Sequence, residues 1–291
     1  MARISFAGLK RAGIALGWIV LFDAIAIGII RISQVVPGSG GRHWFVARTG
    51  AFEVIGFGVA TFVVGRWLNR HAWAELGWRK AALTKVFLGG GLGVAMAAVA
   101  IGLAVLLDGA RVHVTGDWSL WPSVALPLAL GLILAALGEE LGFRGYPLRR
   151  LGETIGALPA MLVLAALFGL AHAWNPNATV LSTLNVALAA IWLSIAFFSS
   201  AGMPLAWGAH FGWNAALAIL FDAPVSGYSF HVPVVEYTPG THAWVDGGVF
   251  GPEGGIVSTI ALLAGVLWLL SRPSAFSPQP SAEPTAVAAA A

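Results

Sequence analysis

Long apolar runs recur along the whole chain, and they restrict the possible fold more than any other feature. Most of these runs reach the roughly 18 residues that distinguish a membrane-spanning helix from a helix of a soluble core. Only 10% of the 291 residues are charged, against about 25% in an average soluble domain. The sequence therefore predicts an all-α, polytopic membrane protein with about eight transmembrane helices. The predicted spans are 12–30, 50–68, 86–107, 121–145, 157–174, 179–199, 204–221 and 255–271.

The apolar runs and the segments between them divide the chain into five parts. Residues 1–119 carry the first three helices, and residues 120–221 carry the next four. An acidic loop without Lys or Arg, residues 222–254, is expected to cap the outer face. The eighth helix occupies 255–271. The tail, 272–291, is rich in Pro, Ser and Ala and cannot bury enough apolar surface to fold, so we predict that it is disordered.

Basic residues are concentrated on one side of the predicted bundle. With eight spans, the N-terminal segment, the second loop and the segment after the fourth span share that side; the first loop, with three Arg residues, is the exception. Because cytoplasmic loops are enriched in Lys and Arg, we predict a multi-pass protein of the cell (inner) membrane with both termini in the cytoplasm. The basic residues concerned are Arg3, Lys10, Arg11, Arg66, Arg70, Arg79, Lys80, Lys85, Arg144, Arg149 and Arg150.

Composition also excludes several kinds of site and partner. The chain has no cysteine, which excludes a thiol nucleophile, an iron–sulfur cluster and a Cys-ligated zinc site. The net charge of +3 is small and spread over the loops, so nucleic acid is not an expected partner. The glycine run 89–93 has no following Lys-Ser/Thr and no preceding strand, so it predicts close helix packing rather than a phosphate-binding loop.

Two adjacent carboxylates, Glu139 and Glu140, end the fourth apolar run. Glu140 and Arg144 are four residues apart, share one helix face and can pair. Glu139 is rotated from that pair by about 100°, which leaves its carboxylate free to face the bundle. Ionisable groups at membrane depth are costly and usually functional, although a solvated helix end explains this group equally well. Glu53 is placed near the start of the second span, where it can reach the surface.

Two further pairs have the same spacing on later spans. Phe168 and His172 lie on one face of the fifth span, and His210 and Asn214 lie on one face of the seventh. Taken alone, His172 is more simply explained as an interfacial residue. His210 and Asn214 could equally form a packing hydrogen bond between helices.

Together, the three groups resemble the CPBP family, which includes the type II CAAX prenyl proteases (the Rce1 group), the Abi proteins and bacteriocin-immunity relatives. That family's pattern is Glu-Glu-x-x-x-Arg, then Phe-x-x-x-His, then His-x-x-x-Asn. All three motifs occur here, in order and on three different spans, and the resemblance covers roughly residues 120–220, the expected catalytic core.

The resemblance implies an intramembrane endopeptidase acting on a peptide or membrane-protein substrate in the lipid bilayer. Glu139 with His172 would activate a water molecule, and His210 with Asn214 would stabilise the oxyanion. The supporting residues would be Glu140, Arg144 and Phe168. The cofactor stays open, because Glu139, His172 and His210 could hold zinc or act without a metal.

Two other functions fit the same residues. One is a non-catalytic scaffold, regulatory or immunity protein, and the other is a transporter that uses the polar groups as a proton relay.

The proposed catalytic pair also places a condition on the fourth helix. For Glu139 and His172 to converge, this helix must continue past Arg144 and turn near Gly152, because helices rise only about 1.5 Å per residue. We then expect a site reached from the cytoplasmic leaflet.

Overall fold

The computed structural model describes residues 6–35, 41–78, 82–116 and 118–272. The predicted disordered tail, from residue 273 onward, lies outside the described residues, as do Arg3, Arg79 and Lys80. The helices are α1 (Phe6–Ile32), α2 (Arg42–Ala60), α3 (Ala82–Asp108), α4 (Trp121–Phe143), α5 (Tyr146–Ile155), α6 (Ala157–Ala171), α7 (Val180–Phe198), α8 (Met203–Ala215), α9 (Ala243–Asp246) and α10 (Ile256–Leu270). Two π-helical segments, Thr61–Leu68 and Ala216–Leu220, extend α2 and α8, and the two short strands are β1 (Arg111–Val114) and β2 (Val235–Thr238).

Five helical stretches are long and apolar enough to cross a membrane. They are Lys10–Ile32, Arg42–Leu68, Ala82–Asp108, Trp121–Ile155 and Val180–Phe198. The helices α6 and α10 are apolar but shorter. These findings confirm the predicted all-α membrane protein, while the count of eight spans stays approximate.

The fourth predicted span is where the helix boundaries differ from expectation. The helix does not continue past Arg144, because α4 ends at Phe143 and α5 begins at Tyr146. The chain then turns at Gly156, with φ of 92°, and α6 packs back along α5. The Phe143 and Phe168 rings meet edge to face with centroids 5.0 Å apart, so the end of α6 reaches the end of α4. The end of α6 is therefore brought back to the end of α4 by two helices with a break between them, and not by one long fourth helix as expected.

Small residues bring α3 and α8 into close contact. A Cβ atom on Gly93 would overlap the backbone of Ala209, and a Cβ atom on Gly212 would overlap the backbone of Gly90. Gly208 faces the backbone of α3 in the same way. This confirms that the glycine run 89–93 serves close helix packing, and it fixes the position of α8.

A second small-residue seam joins α2 to α4. A Cβ atom on Gly131 would lie 2.8 Å from the backbone nitrogen of Ala47, and one on Gly50 would lie 2.7 Å from that of Ala135. One turn further along, a Cβ atom on Gly138 would lie 2.6 Å from the Cβ of Glu53. The seam therefore presses the middle of α2 against the end of α4 that carries the two carboxylates.

The acidic segment 222–254 folds over one end of the bundle. Its strand β2 pairs antiparallel with β1, with Val235 opposite Val114. His242 donates from its backbone nitrogen to Asp108 at the end of α3 over 2.8 Å. Asn185 of α7 donates to the carbonyl of Glu253 over 2.9 Å. Contacts with α3 and α7 thus hold the segment against the bundle.

Candidate active site

A cavity of about 780 Å³ lies between α2, α4, α6, α7 and α8, with residues 225–230 as a further wall. Its lining includes five of the residues that the sequence singled out, and most of the remaining surface is apolar. Those five residues are Glu139, Phe168, His172, His210 and Asn214. The three helices that carry the sequence motifs, α4, α6 and α8, thus converge on one cavity.

Glu140 and Arg144 form the buried support behind this cavity. The Arg144 guanidinium lies 3.2 Å from the Glu140 carboxylate, so the ion pair predicted from their spacing is present. Glu140 also lies 2.9 Å from Nδ1 of His210. On its other side, the guanidinium stands over the Phe168 ring, 4.5 Å from the centroid. The pair therefore orients both the His210 imidazole and the aromatic ring of Phe168.

Glu139 has a very different environment from that of its neighbour. Its Oε2 atom is buried and has no hydrogen-bond partner among the described residues. Nε2 of His210 lies 3.7 Å from this oxygen, which is beyond hydrogen-bonding distance. Glu139 is thus the free carboxylate at the cavity wall, as its rotation about the helix axis predicted.

His172 ends α6 with its ring held in a defined tautomer. Nδ1 lies 2.8 Å from the carbonyl oxygen of Phe168, one turn earlier. A carbonyl oxygen only accepts, so Nδ1 carries the proton and the neutral ring has its lone pair on Nε2. His172 therefore offers a hydrogen-bond acceptor to the cavity that it lines.

His210 and Asn214 lie one turn apart on α8, and both line the cavity. Because Nδ1 of His210 meets Glu140, Nε2 is the nitrogen directed toward Glu139. Trp213, between them in sequence, donates to the carboxylate of Glu253 over 3.0 Å. The face of α8 is therefore fixed by a contact on each side, from α4 and from the segment 222–254.

Residues 121–216 match the family model described as type II CAAX prenyl endopeptidase Rce1-like. This segment is similar to an Rce1-like domain. The match runs from the start of α4 to the end of α8 and contains all seven residues of the three motifs, so the resemblance is confirmed. A comparison with curated proteins finds no match to the chain.

Two carboxylates outside the matched segment 121–216 also line the cavity, and neither was predicted to lie there. The expected surface position of Glu53 is wrong, because α2 begins at Arg42, about three turns earlier, and Glu53 faces the cavity. Glu253 accepts from Trp213 and from the Ser226 hydroxyl over 3.0 Å each. A lone Glu within an apolar run was the signal for Glu53, whereas nothing local pointed to Glu253.

The side chains around the cavity do not fit a zinc site. No three His, Cys, Asp or Glu residues in the described part of the chain are grouped closely enough to hold a metal ion. Of the three residues considered as ligands, His210 directs Nδ1 to Glu140 and His172 directs Nδ1 to a carbonyl, and the remaining nitrogens do not meet at one point with Glu139.

The cavity extends toward the end of the bundle that carries the segment 222–254. Arg42 donates to the carbonyl of Ser229 over 2.8 Å, and Nε2 of His43 lies 2.9 Å from that of Phe230. Arg42 and Tyr228 are exposed and belong to the cavity lining. This differs from the expected access through the leaflet of the basic loops, since those loops lie at the opposite ends of the same helices.

Proposed function

We propose that this protein is an intramembrane endopeptidase that hydrolyses a peptide bond with a water molecule activated by Glu139. The observation that supports it most is the unpartnered Glu139 carboxylate, which faces a largely apolar cavity together with two histidines and an asparagine. Hydrolysis needs a base for water and donors for an oxyanion, and the cavity lining supplies both. The match of residues 121–216 to the Rce1-like family model also supports a protease.

The reaction begins with a water molecule between Glu139 and His172. The Nε2 lone pair of His172 accepts one hydrogen bond from the water, and Glu139 takes the other proton as the oxygen attacks the carbonyl carbon. The carbonyl oxygen becomes an oxyanion, which accepts hydrogen bonds from the Asn214 amide and from Nε2 of His210 in its imidazolium form. The Glu140 carboxylate, accepting at Nδ1, stabilises that imidazolium.

The cavity also bears on the kind of substrate. Its apolar walls and its position within the helical bundle favour a peptide or the segment of a membrane protein, delivered from the bilayer. We propose an inner-membrane location with cytoplasmic termini, on the basis of the distribution of basic residues.

A non-catalytic scaffold or immunity protein is the less favoured function. Packing alone would be satisfied by a paired or apolar residue at position 139, because a buried carboxylate oxygen without a partner costs free energy. A catalytic base needs such an unpartnered oxygen to bind water. Glu140 also has a buried Oε2 atom without a partner, but only Glu139 lines the cavity, and this position favours catalysis over packing for Glu139.

The test is hydrolysis of a quenched-fluorescent peptide library by the purified protein in detergent. We expect Glu139→Gln to lower kcat/KM by about 10²–10⁴-fold, since it removes the base while keeping the side-chain shape. A chelator should leave the wild-type rate unchanged. Glu236→Gln, at an exposed site on β2, is the matched control for removing one carboxylate.

Two outcomes would contradict the proposal. One is that the wild-type protein cleaves no member of the library, and the other is that a folded Glu139→Gln variant cleaves as fast as wild type. Thermal unfolding of each variant in the same detergent shows that losses of activity are not losses of fold.

A further inference from the structure

Glu53 lies beside the proposed base, on a helix that the family match does not include. It projects from the middle of α2 and lines the same cavity as Glu139. Its Oε2 lies 3.4 Å from the point that a Cβ atom on Gly138 would occupy, directly next to Glu139 in the chain. The absence of a side chain at Gly138 is what lets the Glu53 carboxyl come this close.

No structural partner explains the presence of Glu53. Within the described residues, the carboxyl group of Glu53 makes no hydrogen bond or ion pair that would hold it in place. The charge that acts on it most directly is that of Glu139 on α4. The other ionisable groups lining the cavity are Arg42 on α2, His172, His210 and Glu253.

Two carboxyl groups that line the same largely apolar cavity, on helices in close contact, do not both ionise readily. Like charges at short range cost free energy, and the cost grows as water is excluded. When Glu139 is the anion that activates water, the neighbouring carboxyl keeps its proton. A pair of this kind assigns opposite roles to two chemically identical groups, one as base and one as acid.

We propose that Glu53 is the general acid of this site and protonates the amine that leaves when the peptide bond breaks. The inference rests on the endopeptidase function proposed above. As the C–N bond breaks, its electron pair goes to nitrogen, and nitrogen takes the proton from the Glu53 carboxyl. The proton that Glu139 took from water then returns through cavity water to Glu53. The sum is addition of one water molecule across the peptide bond, with both carboxyl groups restored.

The experiment compares two substrates with the same acyl part, a peptide amide and an activated aryl ester. An amine must be protonated to leave, whereas an activated phenolate leaves without a proton. We expect Glu53→Gln to lower kcat/KM for the amide by about 10²-fold and to change the ester little. Glu53→Asp, which keeps an acid at shorter reach, should restore part of the amide activity.

Glu139→Gln should hydrolyse neither substrate, since each reaction requires activated water. Glu236→Gln is the control outside the cavity. Equal losses of amide and ester hydrolysis in a folded Glu53→Gln variant would overturn the acid role, and so would unchanged amide hydrolysis. If wild type hydrolyses neither substrate, the endopeptidase function itself is wrong, and the acid role with it.

Infrared spectroscopy tests the protonation of Glu53 without using activity. A carboxyl group that holds its proton has a C=O stretching band separate from the carboxylate bands. We expect that band at neutral pH in wild type and its loss in Glu53→Gln. If the spectra of wild type and Glu53→Gln have the same band, or if neither has one, Glu53 is ionised and its role as the acid is overturned.

Discussion

Glu139 and Glu140 are adjacent in the chain, yet their carboxylates have opposite environments. Glu140 is fully buried between Arg144 and His210, whereas Glu139 lines the cavity. The difference follows from the helical rotation of about 100° between consecutive residues. One carboxylate therefore orients the site while the other remains available for chemistry.

The buried ion pair gives a prediction about stability at the scale of single residues. Replacing Arg144 with Met leaves the Glu140 carboxylate buried with only His210 as a partner. Removing one member of a buried pair typically costs about 3–5 kcal/mol, so we expect a marked fall in the unfolding temperature in detergent. The double variant Glu140→Gln/Arg144→Met should be more stable than Arg144→Met alone.

This cycle separates support from catalysis. Glu139→Gln should lose activity with an unchanged unfolding temperature. Arg144→Met should have both a lower activity and a lower unfolding temperature. A double variant no more stable than Arg144→Met would show that the cost does not come from an unpaired Glu140 charge.

Close packing of whole helices places the residues of α8. The α3–α8 seam leaves no space for a Cβ atom at Gly93 or Gly212, and α8 carries both His210 and Asn214. Any side chain added to the seam must push α8 outward. The separation between α3 and α8 thus bears directly on the geometry of the oxyanion donors.

The glycine run contains its own control for this effect. Gly93→Ala places a Cβ atom against the backbone of Ala209, so we expect a destabilisation of about 1–3 kcal/mol and slower hydrolysis. A Cβ atom on Gly91 meets nothing within 4 Å, so Gly91→Ala should be neutral or stabilising by about 0.5–1 kcal/mol. Equal unfolding temperatures and rates for the two variants would contradict a role of the seam in positioning α8.

The orientation of the whole molecule can be tested because the chain has no cysteine of its own. A single introduced cysteine is then the only thiol in the protein. Val114→Cys on β1 and Ile155→Cys at the end of α5 both replace exposed side chains. We expect a membrane-impermeant maleimide added to intact cells to label position 114 and to label position 155 only after lysis. The reverse pattern would show that the distribution of Lys and Arg gives the wrong orientation.

The local parts of the fold and the site were predictable from local patterns. Apolar runs located the helices, and the four-residue spacing of Glu140 and Arg144 predicted their ion pair. Spacing also placed His210 and Asn214 on one face of α8. The break after Phe143 was not predicted, because a helix that stops for two residues and resumes leaves the apolar pattern almost unchanged.

The sequence by itself therefore determined the membrane class, the helical elements and which motif residues share a helix face. These properties depend on neighbours within one or two turns, which periodicity records. Only the tertiary structure decided that Glu53 lines the same cavity as Glu139 and that Trp213 donates a hydrogen bond to Glu253. Those contacts arise where backbones approach at glycines such as Gly138 and where a distant segment folds back, and no local spacing encodes them.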